Sequence, residues 1–412
     1  MIGLYFGTAL FIMKEEIAVK EYYLSELLEL KYGKDHKTLG NGTIPCYGSG
    51  GVIRYVNNSL YEKESILIPR KGSLNNLFFI NKPFWTVDTL FWSIINEKIV
   101  LPRYLFYKLK NLNLSSFNEG SAVPSLTTKT LNKISIKIHD LKLQEKIVSI
   151  LSLLDEKIEL NKKINQNLEE TAQTLFKRWF IDFEFPNEEG KPYKSSGGKM
   201  IKSELGEIPE GWKIKNLLEV GDFINGLAMQ KYRPLDTEDS LKVIKIKEMN
   251  SGFSKESELC SVNIPDTYKV NFGDILFSWS GTLKVMFWDK ECGGLNQHIF
   301  KVIPKNVNKL FLYFWLKIHL QTFIQIAQSK ATTMGHIKRN DLNNSKIIVP
   351  NTEFWIYKEK ILNSYLEKIV YQSKEIEKLI ELRDYLLPRL MSGEIDISNL
   401  KISEISNSDK FN

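Results

Sequence analysis

The chain contains two copies of one short sequence frame, separated by about half of its length. Residues 67–74 read LIPRKGSL and residues 276–283 read LFSWSGTL, at an offset of 209 residues in a chain of 412. The same offset of 209 aligns FWTVDTLF at 84–91 with GGLNQHIF at 293–300. A repeat on this scale predicts a duplicated domain, because each copy carries its own set of strands and turns.

Two further matches extend the repeat along the chain. Residues 120–140 align with residues 331–351 at an offset of 211, and residues 24–30 resemble residues 214–220 at an offset of 190. The change of about twenty residues in the offset indicates that the segments between these blocks have diverged in length. The alternation in SILIP, ISIKIHD and KIIVP predicts strands, whereas PRYLFYKLKNL and NKLFLYFWLKIHLQTFI predict helices.

Each copy is followed by a long helical pattern. Apolar residues recur at steps of four and three across residues 147–179, and the offset of 211 gives a second, less regular seam across residues 358–390. Seams of this kind predict two helices that pair as a coiled coil, with a polar layer that fixes their register. The predicted pairing residues are Ile147, Leu151, Leu154, Ile158, Asn161, Asn165, Leu168, Leu175, Trp179, Leu362, Ile369, Gln372, Ile376, Leu379 and Leu386.

These patterns together predict an α+β fold. A mixed α/β globular domain followed by a long helix occurs twice in tandem with pseudo-twofold symmetry, and the two helices form an antiparallel coiled-coil spacer. The predicted boundaries are a first globular domain at 1–140 with a loosely attached extension at 1–18, a central helical spacer at 141–185, a linker at 186–212 rich in Gly, Pro, Ser and Lys, a second globular domain at 213–352, a distal helical spacer at 353–400 and a tail at 401–412.

Composition and missing motifs narrow the function. The net charge of +7 permits a polyanionic partner without requiring one. The three cysteines are far apart and form no CxxC pair, and the five histidines show no ligand spacing, so no metal site is predicted. The sequence contains no GxxxxGK[ST] phosphate loop and no GxGxxG motif, and it contains no Pro-Pro as in the adenine-methyltransferase motif. No continuous apolar run reaches the 18 residues that predict a membrane span.

Several segments resemble one known family. LGEIPEGWKIKNLLEV at 205–220 resembles the start of a target recognition domain, and LKLQEKIVSILSLLDEKIELNKKINQNLEETAQTLFKRWF at 141–180 resembles a central spacer. LRDYLLPRLMSGEIDI at 382–397 resembles the closing segment. On these segments, with the repeated frames above, the chain is similar to the specificity subunit of type I DNA restriction–modification enzymes. The first domain departs from the pattern because it lacks the GEIPEGW lead-in.

The resemblance implies a non-catalytic, cytoplasmic subunit that binds double-stranded DNA. Each recognition domain would read one half of a bipartite, asymmetric target, and the helices would set the spacing and dock two methyltransferase subunits. S-adenosylmethionine, ATP and Mg would belong to the methyltransferase and restriction subunits, so this chain would bind no cofactor. Two alternatives stay open at this point, a recognition module fused to an enzyme and a structural coiled-coil adaptor that does not recognise DNA.

DNA contacts are predicted in the polar, glycine-containing loops that recur in both copies. Arg and Lys donate to guanine or to phosphate, and Ser or Asn bind either. The predicted DNA-binding residues are Tyr47, Ser49, Arg70, Lys71, Ser73, Asn75, Asn76, Gln230, Lys231, Arg233, Trp279, Ser280, Thr282, Lys284, Gln297, His298 and Lys338. The competing interpretation is that these are ordinary strand–turn positions with solvated charges.

Overall fold

The computed structural model describes residues 19–329 and 335–400. The predicted extension at 1–18 and the predicted tail at 401–412 lie outside the described residues. The chain divides into two compact units. The first joins the residues up to Lys157 with those from Ile380 onward, and the second runs from Ile158 to Leu379. Each unit therefore includes part of both long helices.

The first unit is built on a four-stranded antiparallel sheet. Its strands are β1 (Val19–Tyr23), β2 (Leu28–Tyr32), β3 (Asn41–Gly48), β4 (Gly51–Val56), β5 (Ser65–Pro69), β6 (Phe78–Ile80), β7 (Trp85–Thr86), β8 (Leu90–Ile95) and β9 (Ser135–His139). Its helices are α1 (Leu24–Leu27), α2 (Pro102–Lys110), α3 (Thr128–Asn132) and the start of α4 (Leu141–Phe176). The sheet order is β2-β8-β5-β6, while β3 pairs with β4 and, in parallel, with β7, and β1 pairs with β9.

The second unit repeats this plan with additions. Its strands are β10 (Met200–Ser203), β11 (Gly206–Pro209), β12 (Lys213–Asn216), β13 (Gly221–Asn225), β14 (Ser240–Ile244), β15 (Leu259–Ser261), β16 (Lys269–Val270), β17 (Ile275–Ser278), β18 (Lys284–Phe287), β19 (Gly293–Leu295), β20 (Ile299–Pro304) and β21 (Lys346–Val349). Its helices are α5 (Leu217–Val220), α6 (Ile246–Ser251), α7 (Lys309–Ser329), α8 (Arg339–Asn343) and most of α9 (Thr352–Ser392). The sheets are β13-β20-β17-β18, β15-β14-β19-β16, β12-β21 and the hairpin β10-β11.

The two units share one topology, which confirms the predicted α+β duplication. The sheet β2-β8-β5-β6 corresponds to β13-β20-β17-β18, and the parallel pair β3-β7 corresponds to β14-β19. Helices α1 and α5 correspond as well, because Glu26 and Glu219, each at the third helical position, accept the backbone N–H of the N-cap residue at 2.7 and 2.8 Å. This pairing has an offset of 193, so the predicted offset of 190 is wrong. Leucine and glutamate repeat so closely in this segment that several alignments score alike.

Within the first unit, helix α2 contacts both long helices. The Tyr104 hydroxyl is 2.7 Å from His139 Nδ1, and burial, followed by the charge of Lys108, lowers the pKa of His139 to about 4. Lys108 Nζ donates to the Met391 carbonyl at 2.6 Å near the end of α9. Leu151 of α4 lies in the same apolar core. The core of this unit is thus closed by segments from both ends of the chain.

The two long helices pair antiparallel within each unit, as predicted. In the first unit, Arg383 donates to Asp155 at 3.0 Å. In the second unit, Asn165 Nδ2 donates to Ser373 Oγ at 2.8 Å. In the first unit, Lys146 also donates to the Ser398 carbonyl, just beyond α9. In the second unit, the Trp179 ring also lies 5.9 Å from the Phe354 ring. Within each unit, partner numbers therefore fall as numbers along α4 rise, as in antiparallel helices.

Burial along the seam varies between the predicted pairing residues. The buried members are Ile147, Leu151, Ile158, Asn161, Trp179, Leu362 and Ile369, and the half-buried members are Leu154, Asn165, Leu168, Leu175, Gln372, Ile376, Leu379 and Leu386. Helix α4 gives way at Lys177–Ile181 to a π-helical turn that carries Trp179. Helix α9 ends at Ser392, before the predicted limit of 400, and is followed by Gly393 with a φ of 76°.

The polar layer of the seam is expected to lower the stability of the chain. Asn161 is buried, and its Nδ2 has no hydrogen-bond partner among the described residues. Because an unpaired buried donor costs about 1–3 kcal/mol, Asn161→Leu is expected to raise the free energy of unfolding by about 1 kcal/mol. Urea denaturation of the full chain measures the change. Asn165→Leu, which also removes the bond to Ser373, is the control with a smaller gain; a loss of stability in Asn161→Leu would contradict the expectation.

The segment 186–212, predicted as a linker, is folded onto the second unit. Strands β10 and β11 form a hairpin within it, and Ile208 and Trp212 are buried. The Trp212 ring stacks on Phe185 at a centroid distance of 5.1 Å, and Tyr193 stacks on the same Phe185 ring at 4.5 Å. Aromatic packing therefore overrides the flexible character that the Gly, Pro and Ser content indicates.

Helix α7 is apolar almost all round. By length and hydropathy its 21 residues would suffice to cross a membrane, although it holds no continuous apolar run of 18 residues. Half of its most apolar window is buried inside the fold. All seven residues from Leu310 to Leu316 are buried in the core of the second unit, against strands such as β18 and β20. Its hydropathy is accounted for by this core position.

Candidate nucleic-acid interface

Backbone hydrogen bonds hold the loop after β5 on both sides, and we call this set of bonds its backbone frame. The Arg70 amide donates to the Thr89 carbonyl at 2.8 Å, and the Leu126 amide donates to the Arg70 carbonyl at 2.9 Å. Lys71 forms an isolated antiparallel bridge with Ser125. The loop 70–72 is therefore fixed between the segment before β8 and the segment before α3.

The loop after β17 is held in the same frame. The Trp279 amide donates to the His298 carbonyl at 3.3 Å, and the Ile337 amide donates to the Trp279 carbonyl at 2.8 Å. Ser280 forms an isolated antiparallel bridge with His336. Each of these bonds has its counterpart in the first unit, at the offsets of 209 and 211 found in the sequence.

Glycine completes both frames. Gly72 has a φ of 91° and Gly281 has a φ of 63°, a region that side chains with a Cβ rarely adopt. The predicted correspondence of the two loops is thus confirmed at the level of the backbone, while the residues before each glycine differ completely. We call the two loops, Arg70–Gly72 and Trp279–Gly281, the reading loops.

In the first unit, the reading loop presents a fixed guanidinium group. Arg70 Nη1 donates to the Asp88 carbonyl at 3.1 Å and lies 3.8 Å from the Asp88 carboxylate. The same guanidinium lies over the Tyr32 ring at 5.4 Å, within the range of a cation–π contact. Tyr32 is the last residue of β2, opposite Phe91 in the register.

In the second unit, the reading loop presents a fixed indole. Trp279 Nε1 donates to Asn225 Oδ1 at 2.8 Å, and its ring lies 5.7 Å from the His298 ring and 5.8 Å from the Phe300 ring. Asn225 is the last residue of β13, opposite Phe300 in the register. It therefore occupies the position that Tyr32 has in the first unit, and each copy uses this position to hold the planar side chain of its reading loop.

The residue after each of these positions is a glycine that permits a close approach. A Cβ on Gly33 would lie 2.0 Å from the Val87 carbonyl oxygen, and a Cβ on Gly226 would lie 2.2 Å from the Asn296 carbonyl oxygen. Val87 and Asn296 correspond at the offset of 209. In both copies, the backbone just after β2 or β13 therefore packs closely against the segment whose carbonyl accepts the hydrogen bond of the reading loop.

The predicted residues of the first domain lie along connected loops. The Val87 amide donates to the Tyr47 carbonyl at 3.0 Å, and Asn76 Nδ2 donates to the Ser49 carbonyl at 2.7 Å. Asn75 Nδ2 donates to Asn113 Oδ1 at 3.1 Å. The fold therefore links, through these bonds and along the loop 70–76, Tyr47, Ser49, Arg70, Lys71, Ser73, Asn75 and Asn76.

Four predicted residues of the second domain lie on the reading loop or on the segment bonded to it. The Gln297 amide nitrogen is 3.3 Å from His298 Nε2, and His298 Nδ1 is 3.1 Å from Ser280 Oγ. The two ring nitrogens of His298 are thus flanked by the Gln297 and Ser280 side chains. Ser280 is only 5% exposed, so it positions His298 and does not fit the direct DNA contact predicted for it. Thr282 and His298 are exposed.

Two predicted cations are already engaged by other parts of the fold. Lys284 Nζ donates to the Met249 carbonyl at 2.8 Å and to Asn250 Oδ1 at 3.2 Å, which ties β18 to α6. Arg233 pairs with Glu258 at 2.8 Å. Lys284 therefore has a role in packing the second unit that the sequence did not indicate, whereas the Arg233 side chain is 58% exposed and only ion-paired.

Three other predicted residues are exposed, in segments of their own. Gln230 and Lys231 lie on the turn Met229–Lys231. Lys338 is the N-cap residue of α8, and its amide donates to Asp341 at 2.8 Å. Sequence analysis did not predict that Tyr32, Asp88 and Asn225 hold the reading loops. For Tyr32 and Asn225 the one signal was the offset of 193.

The chain matches the model of one protein family. The model described as the type I restriction modification DNA specificity domain matches residues 17–170 and again residues 209–382. The chain belongs to this family. The two matches start close to β1 and β12 and extend into α4 and α9, so each copy of the specificity domain includes one reading loop.

Curated relatives agree with this assignment. The specificity subunit of the type I restriction enzyme MjaIX from Methanocaldococcus jannaschii is 28% identical over 358 residues, which cover 83% of this chain and 80% of that protein. The specificity subunit of the type I restriction enzyme HindI from Haemophilus influenzae is 28% identical over 391 residues, covering 79% of this chain and 85% of that protein. Both relatives are matched over most of their length.

A solved structure supports the fold. The S subunit of a type I restriction–modification system from M. genitalium superimposes with a TM-score of 0.56, at 15% sequence identity, covering 92% of this chain and 98% of that chain. At this identity the likeness is evidence for the fold of the specificity subunit alone.

Proposed function

We propose that this chain is the DNA specificity subunit of a type I restriction–modification system, in which each unit reads one half of a bipartite, asymmetric target. One observation carries the proposal: the two reading loops have the same backbone frame and different side chains. A frame that is kept while its side chains change is what two readers of two different half-sites require. Membership of the specificity-domain family and the named relatives support it.

The chemistry of the two reading loops suits duplex DNA. Arg70 and Lys71 offer donors for guanine or phosphate in the first unit. In the second unit, an indole beside the exposed His298 offers apolar contact together with hydrogen bonds, and Thr282, also exposed, follows the loop. Because the two sets share no residue type, the half-sites they read differ, and the whole target is asymmetric.

The long helices are proposed to set the number of unread base pairs and to dock two methyltransferase subunits. Helix α9 leaves apolar side chains exposed that its own unit does not cover, including Ile356, Tyr357 and Tyr371. Restriction subunits would join the same assembly. S-adenosylmethionine, ATP and Mg would be bound by those partners, and this chain would catalyse no step. The assembly would act in the cytoplasm, where the DNA is.

The test is a map of methylated adenines in cells that express the methyltransferase subunit encoded beside this gene, with and without this chain. Methylation at one split, asymmetric motif, present only with the chain, is the expected result. A Trp279→Ala variant should relax one half of that motif and leave the other half unchanged. If the chain co-purifies with the methyltransferase and no chain-dependent motif appears, the structural adaptor without DNA recognition becomes the better description.

A further inference from the structure

We infer that Arg70 recognises a guanine in the half-site read by the first unit, and that Asp88 and Tyr32 position its guanidinium group. The inference rests on the proposed function and names the base that this reading loop selects. It is carried by three contacts, the Asp88 carbonyl at 3.1 Å, the Asp88 carboxylate at 3.8 Å and the Tyr32 ring at 5.4 Å.

These contacts leave one edge of the guanidinium available. Both polar contacts of the Arg70 side chain within the described residues are made by Nη1. An arginine has five N–H donors, so Nη2 and Nε keep an adjacent pair of donors. That pair matches O6 and N7 of guanine on the major-groove edge. The side chain is 31% exposed, which is enough to present one edge while the rest stays packed.

The carboxylate of Asp88 favours a base contact over a phosphate contact. It is 68% exposed beside Arg70 and would repel a phosphate approaching the same guanidinium. Lys71, the next residue, is exposed and has no carboxylate within ion-pairing distance among the described residues. Lys71 is therefore the better phosphate ligand, and Arg70 is the residue whose charge is already balanced and whose orientation is fixed.

Fixing the side chain before DNA arrives also contributes to selectivity. A free arginine loses rotamer freedom when it binds, whereas Arg70 has its loop bonded at both ends and its guanidinium held on one side. The second unit fixes the corresponding Trp279 through Asn225 and carries no charge at this position. The guanine contact is thus specific to one of the two half-sites.

The decisive experiment uses the complex of this chain with its methyltransferase subunits. Methylation rates are measured on duplexes that carry the mapped target and on duplexes with one base pair changed at a time in each half. Arg70→Lys keeps the charge and loses the paired donors, so discrimination at one G·C pair should fall by about 5- to 150-fold. Discrimination at every position of the other half-site is the internal control and should not change.

Two further variants separate base reading from phosphate binding. Lys71→Gln should weaken binding to all sequences alike and reduce the slope of log affinity against log salt by about one phosphate contact. Asp88→Asn keeps the backbone carbonyl that holds Arg70 but removes the carboxylate charge that repels phosphate. Discrimination at the same G·C pair should therefore fall, while binding to unrelated DNA does not weaken. Circular dichroism verifies that each variant is folded.

Two outcomes would overturn the inference. In the first, Arg70→Lys discriminates like the unmodified chain; in the second, it weakens all sequences equally, which would make Arg70 a phosphate ligand. Both leave the proposed function standing, because the split methylation motif would still depend on the chain. Failure of the proposed function has a different readout, namely that the unmodified chain directs no methylation motif at all.

Discussion

Replacing Phe180 with alanine is expected to lower the free energy of unfolding of the second unit by about 3–5 kcal/mol. The ring is fully buried and lies 4.8 Å from the Phe311 ring and 5.3 Å from the Phe354 ring. It also stacks on Trp355 at 6.0 Å. These partners come from α7 and α9, so the cavity would open where three elements meet and cannot all move together to fill it.

Urea denaturation of the full chain, followed by tryptophan fluorescence, measures this loss. Tyr357→Ala is the matched control, because Tyr357 is an exposed aromatic residue close to the same end of α9. It should change stability by no more than about 0.5 kcal/mol. Equal losses in the two variants would show that the aromatic cluster does not hold this unit together.

Replacing Arg383 with alanine is expected to destabilise the first unit by about 3 kcal/mol, because it removes one partner of a mostly buried ion pair. The side chains of Arg383 and Asp155 are 15% and 24% exposed. Among the described residues, Asp155 would then keep as its one hydrogen-bond partner the Tyr107 hydroxyl, which donates to it at 2.6 Å. Burial, and then the bond to Asp155, already raises the pKa of Tyr107, so this hydroxyl stays neutral and cannot replace the lost positive charge.

The structure supplies a control on the same guanidinium. Arg383 also pairs with Asp384, whose side chain is 57% exposed, so Asp384→Asn should cost no more than about 1 kcal/mol. Removing both buried charges, with Arg383→Met and Asp155→Leu together, should recover part of the loss, because no lone charge then stays buried. Thermal unfolding compares the four proteins. A double variant less stable than Arg383→Ala would argue that the pair is intrinsically stabilising.

The repeat let the sequence predict the fold and the place of the reading loops. Residues related by the offsets of 209 and 211 form equivalent backbone hydrogen bonds in the two units, for example at Arg70 and Trp279. These offsets could not reveal that Tyr32 and Asn225 correspond, because the two side chains have no chemistry in common. In addition, the preceding segment was aligned at an offset of 190, three residues away from the offset of 193 in the structure. Sheet register, which a sequence does not display, is what equates them.

Burial was the other quantity that the sequence could not supply. Ser280 and Lys284 have the polar character of DNA ligands, yet one is buried and the other is bonded to α6. The segment 186–212 has the composition of a linker, yet its few aromatic residues decide its conformation. In each case a local residue type was correct and its neighbours in three dimensions determined what it does.

The bond from Lys108 to Met391 joins residues 283 positions apart and closes the core of the first unit, with Leu387, Leu390 and Ile397 in the same core. A ribosome makes about 5–20 residues each second, so it needs roughly 15–60 s to travel from one partner to the other. For that time the nascent first domain has an incomplete core and exposes apolar surface to chaperones and proteases. The domain that is synthesised first is therefore the one that is finished last.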